Sequence, residues 1–136
     1  MGNRILRPKT FLVPLILILA LGCKDEFPSE QDFSNFLFPD SSVSYGLHVQ
    51  KLFDARCIRC HNGSHPQTDL DLISPSYNKL MNYQPRLVLT RDPDNSILIQ
   101  RLAGVITPRM PLNATPITEN QLNGMRQWVL EGAVNN

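Results

Sequence analysis

Two cysteines three positions apart, with a histidine directly after the second, stand near the middle of the 136-residue chain: Cys57-Ile58-Arg59-Cys60-His61. This is the Cys-x-x-Cys-His pattern of covalent haem c attachment. Each residue has a task in that chemistry. The thiols add across the two haem vinyl groups to give thioether bonds, and the imidazole is carried beneath the ring to bind iron as proximal ligand. Two other chemistries use the same side chains. A zinc site drawn from Cys57, Cys60, His61 and His65 would use neighbours in sequence, whereas structural zinc sites space paired ligands about two to five residues apart. A redox dithiol needs no histidine here and expects a βαβ setting that this chain does not show. The spacing favours haem.

The far side of the iron needs an uncharged ligand, and the candidates are Met81, Met110, Met125, His48 and His65. Met110 lies in Thr107-Pro108-Arg109-Met110-Pro111, outside any apolar stripe, where the prolines hold the backbone extended. A thioether held in this way loses little freedom on binding a metal. Met81 and Met125 fall at helical positions that a core can use. His48 lies on a helix that runs into the haem motif and carries it away from the iron. His65 follows His61 by four residues, in a loop that must first turn away from the proximal side.

The elements that must position these groups are helical. Residues 44–56 read as a first helix with Val49, Leu52 and Phe53 on one face and the motif at its end. A polar loop over 62–74 follows. Ser74-Pro75 predicts an N-cap and a first helical position, opening a short helix to about Met81. Residues 91–104 repeat the device, with Asp92 as cap, Pro93 at the first position and Gly104 as the stop. Thr118-Glu119-Asn120-Gln121 is a capping box, and its helix carries Leu122, Met125, Trp128 and Val129 on one stripe, ending near Gly132. Met125 is expected in the core, and Trp128 against the first helix or the haem edge.

The N-terminus sets the expected compartment. Arg4, Arg7 and Lys9, with no acid among the first nine residues, precede an apolar run over 11–21. That is a secretory pattern, and the run is too short to span a bilayer. It ends in Leu19-Ala20-Leu21-Gly22-Cys23, which resembles the lipobox of bacterial lipoproteins, although Ala20 and Leu21 depart from its usual order. The resemblance implies removal of residues 1–22 and lipid on Cys23. With haem on Cys57 and Cys60, all three cysteines are then used. Residues 23–42 read as a tether to the membrane, with Phe27, Phe33, Phe36 and Phe38 unusual for a pure spacer. Residues 43–136 make one small domain, whose modest core a haem at its centre would enlarge. The net charge of +1 gives no argument for nucleic acid.

From about residue 45 to 133 the chain resembles the c-type cytochrome domain family first recognised in planctomycetes, within the larger monohaem cytochrome c superfamily. Leu52-Phe53-Asp54-Ala55-Arg56-Cys57-Ile58-Arg59-Cys60-His61 is similar to the family's attachment helix. Arg91-Asp92-Pro93-Asp94-Asn95-Ser96-Ile97-Leu98 is similar to its Gly-Asp-Pro segment, with Arg91 for the usual Gly. Met110-Pro111 and the Trp128…Gly132-Ala133 helix match its ligand loop and closing element. The loop after His61 departs, with Thr68-Asp69-Leu70-Asp71-Leu72 where the family often has a Gly-Gly-Leu turn.

The resemblance implies an all-α, cytochrome c-like domain enclosing one covalent haem c, with Cys57 and Cys60 as thioethers and His61 and Met110 as axial ligands. The expected function is one-electron transfer with redox protein partners, in a cell envelope to which the lipid of Cys23 anchors the chain, on the periplasmic side or at the outer membrane. Haem catalysis or gas sensing, or a haem module accessory to a larger complex, are the alternatives. The only spare histidines are His48 and His65, so a distal acid–base pair is lacking and an electron carrier is expected rather than an enzyme.

Overall fold

The computed structural model describes Gly2 and residues 36–64 and 68–136. Apart from Gly2, the stretch 1–22 read as a signal lies outside the described residues, as do Cys23, most of the stretch read as a tether, and His65. Within them regular structure is helical, and the single ladder contact is an isolated antiparallel bridge between Asn62 and Asp71. Four helices follow in order: α1 (Gln50–Arg56), α2 (Tyr77–Met81), α3 (Ile97–Ala103) and α4 (Glu119–Leu130).

A π-helical turn, Tyr45–Val49, leads into α1, so the expected first helix opens wide and then tightens. Ser44 caps it, its hydroxyl accepting from the Leu47 N–H. Val49, Leu52 and Phe53 are buried, as the i, i+3, i+4 spacing predicts. Helix α2 starts at Tyr77, two residues beyond the expected Pro75. Ser76 stands at its cap without bonding the helix, because its hydroxyl donates to Gln50 Oε1 (2.8 Å) and meets the Tyr45 hydroxyl (2.6 Å). Gln50 also donates to Asp54 Oδ1 and Leu72 O, so one buried polar network ties α1, α2 and the loop between them.

Helix α3 begins at Ile97 under Ser96, and not at Pro93 under Asp92. The reason is local. Asp92 accepts from the backbone and side-chain nitrogens of Asn95, which closes a separate turn, while the Ser96 hydroxyl donates to Asp92 O and accepts from Leu89 N–H. Gly104 ends α3 in the left-handed region (φ +74°), as expected of a helix stop. In α4 both halves of the capping box form: Thr118 Oγ1 accepts from Gln121 N–H (3.2 Å) and Gln121 Oε1 from Thr118 N–H (3.0 Å).

Helix α3 packs against α4, and the core closes around Trp128, with Phe53, Leu52, Leu80, Ile99 and Met125 fully buried beside it. Tyr45 is the hub, its ring 5.5 Å from Trp128 and 5.1 Å from Tyr77 between centroids. Trp128 therefore packs against the first helical segment, and Met125 lies in the core. These side chains form the centre of the core.

The described end of the stretch read as tether lies on the domain. Phe38 is buried against α4, its N–H donating to Asn120 Oδ1 (2.8 Å) and its carbonyl accepting from Asn120 Nδ2 (3.1 Å). The Glu131 carboxylate receives the N–H groups of Ser42 (2.7 Å) and Val43 (2.9 Å). Gly124 makes the contact possible: a Cβ there would sit 2.2 Å from Phe38 Cβ.

Candidate functional site

Helix α1 delivers the cysteine motif onto a tight turn. The Phe53 carbonyl accepts from the N–H groups of Cys57 and Ile58, and the Cys57 carbonyl from those of Cys60 (3.1 Å) and His61 (2.9 Å). Both thiols and the imidazole thus belong to the five residues of one turn, as joint attachment to one group requires. The thiols are free of each other and differ in setting. Cys60 is exposed, whereas Cys57 packs against the core and burial pushes its thiol up to about 12.

His61 is half-buried. Thr68 Oγ1 lies 3.4 Å from its Nδ1, a long contact of the kind that orients the ring nitrogen facing away from a metal. Past His61 the chain returns on itself: Leu72 N–H donates to His61 O (2.8 Å) beside the Asn62–Asp71 bridge, and Gly63 makes the turn in the left-handed region (φ +71°). The Lys79 ammonium bonds Asp71 (2.7 Å), and this bond, with the Ile73 N–H, holds the Asp71 carboxyl below its usual range.

The remaining spare histidine of the described residues, His48, accepts the Ser44 N–H on Nδ1 (3.0 Å), with its ring 5.8 Å from that of Phe38. It lies nine residues before Cys57, roughly 13 Å along a helix. Met81 is half-buried against the core.

Met110 is also half-buried against the core, in the loop after α3. That loop is fixed by backbone bonds and arginines. Met110 N–H donates to Arg101 O (2.9 Å), Arg101 Nη1 to Pro108 O (3.1 Å), Arg109 Nη2 to Ala114 O (2.8 Å), and Arg56, the last residue of α1, to Thr115 O (2.6 Å). The last of these bonds fastens the loop to the helix that carries the cysteines. Between them opens a cavity of about 580 Å3, lined by Arg59 from the motif and by Arg109, Leu112, Asn113, Ala114 and Thr115 from the loop.

One atom of Arg109 is unusual. Arg109 Nη1 is buried and has no hydrogen-bond partner among the described residues. Leaving a charged donor in that condition costs more than the roughly 1–3 kcal/mol of a neutral one. Arg109 is held there by its stem, which passes over Gly104 so closely that a Cβ would meet Arg109 Cδ at 3.1 Å. The ion pairs among the described residues are Lys79–Asp71 and Arg126–Asp94, so Arg56, Arg59 and Arg109 give this face a cationic rim with no carboxylate paired to it.

By donor chemistry these residues fit a haem, with two thiols and an imidazole on one turn and a methionine in the loop after α3. None of Cys57, Cys60, His61 and Met110 lines the cavity, to which the motif contributes Arg59. Of the residues singled out in the sequence, Cys57, Cys60 and His61 share one turn, while Met110 stands in the proline-bounded loop after α3. Among the described residues no three His, Cys, Asp or Glu side chains are grouped to hold a metal ion, and no helix is long and apolar enough to cross a membrane. Comparison with protein-family models, with curated proteins and with solved structures finds no match to this chain.

Proposed function

We propose that the chain is a one-electron carrier: a small helical c-type cytochrome domain with one haem c, anchored by lipid on Cys23 in a bacterial cell envelope and serving redox proteins there. The observation that carries the reading is the single turn that holds Cys57, Cys60 and His61, with Arg56 just before it bonded to Thr115 of the loop that follows Met110. Cys57 and Cys60 would hold the haem covalently, each thiol S–H adding across a vinyl C=C with no change in electron count. His61 would be the proximal ligand, steadied by Thr68, and Met110 the distal one. The haem supplies the one-electron couple, and His/Met ligation gives a higher potential than two histidines would.

The residues of the chain limit what else happens at the iron. A neutral thioether in a pinned loop adds no acid or base, and His48 is engaged with the Ser44 N–H at the start of the first helical turn. The test is an absorption spectrum of the purified chain, oxidised and reduced, with and without carbon monoxide. A haem c spectrum that carbon monoxide leaves unchanged supports the carrier. Rapid carbon monoxide binding turns the reading towards gas binding or catalysis, and a chain that carries no haem overturns it.

A further inference from the structure

We infer that the surface around the docked segment 36–43 is the one the domain lays against a lipid bilayer, an inference that rests on the lipid at Cys23 proposed above. Exposed apolar side chains gather there: Leu37 is 66% exposed, Leu47 61%, Leu130 53% and Val134 50%. Ring contacts and hydrogen bonds tie their neighbours together. Phe36 and Phe38, on either side of Leu37, have ring centres 6.3 and 5.8 Å from that of His48, which follows Leu47. The Ser42 and Val43 N–H groups donate to Glu131, which follows Leu130. The Gly46 N–H (3.0 Å) and the Ser44 hydroxyl (2.7 Å) both donate to the carbonyl of Asn136, two residues beyond Val134. Single exposed apolar side chains are ordinary on any protein, but four around one docked segment mark an interaction surface.

The chain that precedes the segment names the occupant. Residues 24–35 separate Cys23 from Phe36. Fully extended they reach at most about 45 Å, and as a flexible chain about 20 Å. Phe38 is buried on α4 and paired with Asn120, so the free length ends there and the lipid keeps this side of the domain nearest the bilayer. Charge argues for an apolar contact. Asp25, Glu26, Glu30, Asp32 and Asp40 outnumber Lys24 along the segment, so anionic headgroups offer it no attraction. The leucines and valine enter the interface as the apolar side of a peripheral protein does. The first helical segment starts beside this surface at Tyr45 and runs to Arg56, about 17 Å along its axis. Bilayer and cysteine turn thus take opposite ends of that segment, which leaves the turn open to partners in water.

The experiment uses the wild-type protein as extracted from membranes, placed in phosphatidylcholine vesicles whose acyl chains carry a photoactivatable diazirine. After illumination, lipid adducts are mapped on tryptic peptides by mass spectrometry. Peptide 127–136 holds Leu130 and Val134 and no part of the tether, whereas peptides 102–109 and 110–126 hold Val105 and Leu112, in the loop after α3 that Arg56 fastens. Val105 (69% exposed) is more exposed than either residue of the first peptide, so exposure alone predicts more label on 102–109. Contact with lipid predicts the reverse, with adducts on 127–136 at least about tenfold above those on 102–109, and fragment ions should place further adducts at Leu37 and Leu47. Because the contact is apolar, the pattern should persist in 1 M salt. Equal labelling of 127–136 and 102–109 overturns the inference, and so does labelling that salt removes. Adducts confined to residues 24–35, with the lipid intact on Cys23, also overturn it and leave this surface to a second copy of the chain or to a partner protein. Recovery of the chain with an unmodified Cys23 would instead overturn the lipid reading, and the mass of the extracted protein tells that result from the others.

Discussion

Replacing Gly124 by alanine sets two effects of opposite sign against each other. By helix propensity alone, Gly→Ala inside α4 stabilises by about 0.8–1.0 kcal/mol. In this fold the new Cβ would meet Phe38 Cβ and Cγ at 2.2 Å. Those atoms sit at the root of the side chain, so the ring cannot swing clear and the whole segment at 36–43 must lift. Phe38 is 4% exposed, and returning a buried phenylalanine to water costs about 1.5–3 kcal/mol. The paired bonds between Phe38 and Asn120 add about 0.5–1.5 kcal/mol each. Packing therefore outweighs propensity, and the variant should lose about 2–4 kcal/mol, a fall in Tm of about 10 °C or more for a domain this small. Thermal melts followed by far-ultraviolet circular dichroism give the number. Phe38→Gly supplies the decisive background: with the ring and its Cβ gone, Gly124→Ala should become neutral or stabilising. A Gly124→Ala chain that melts higher than the wild type, with Phe38 in place, would refute the docking of this segment.

In Met110→Ala the weak red absorption band of ferric iron bound to thioether sulfur should vanish and the reduction potential should fall; a band that survives removes Met110 from the iron. In chain made without haem, Cys60 should react first with an alkylating agent at pH 8, because a thiol pushed up to about 12 carries about a thousandfold less thiolate than one at its ordinary value. Equal rates for Cys57 and Cys60, read by peptide mass spectrometry, would show that Cys57 is not buried. The Glu131 carboxyl is held below its usual range by the Gln127 amide and by the N–H groups of Ser42 and Val43. The stability this lends is complete above the unfolded carboxyl value of about 4.3 and is lost as pH falls through the lower folded value. Amide exchange should accordingly show the protection of Ser42 and Val43 failing in acid, and Glu131→Gln should abolish that pH dependence; protection unchanged down to pH 2 would contradict it.

Local signals were the legible part of this fold. The capping box at Thr118 and Gln121 formed because both partners lie within one turn, and Gly104 ended α3 because only a left-handed residue was needed there. The start of α3 was misread for a reason of the same scale: Asp92 closed a turn on Asn95, leaving Ser96 as the cap. What the sequence hid was long-range. Nothing near Phe38 announces that Asn120, Gly124 and Glu131, more than eighty positions away, will hold its segment. The same holds for the candidate site. Cys57, Cys60 and His61 stand out by their spacing and Met110 by the prolines that flank it. The cavity beside Arg59 is not legible, since it forms only when the loop after α3 folds back towards α1.

The central claim is a covalent haem on Cys57 and Cys60, and the mass of the intact protein tests it most directly. Protein extracted from membranes of a bacterium competent for haem c attachment should weigh as the chain from Cys23 with a lipid group and one haem. Its tryptic fragment spanning Cys57–His61 should carry the haem. A mass without haem, with both thiols at 57 and 60 free to react, would contradict the account.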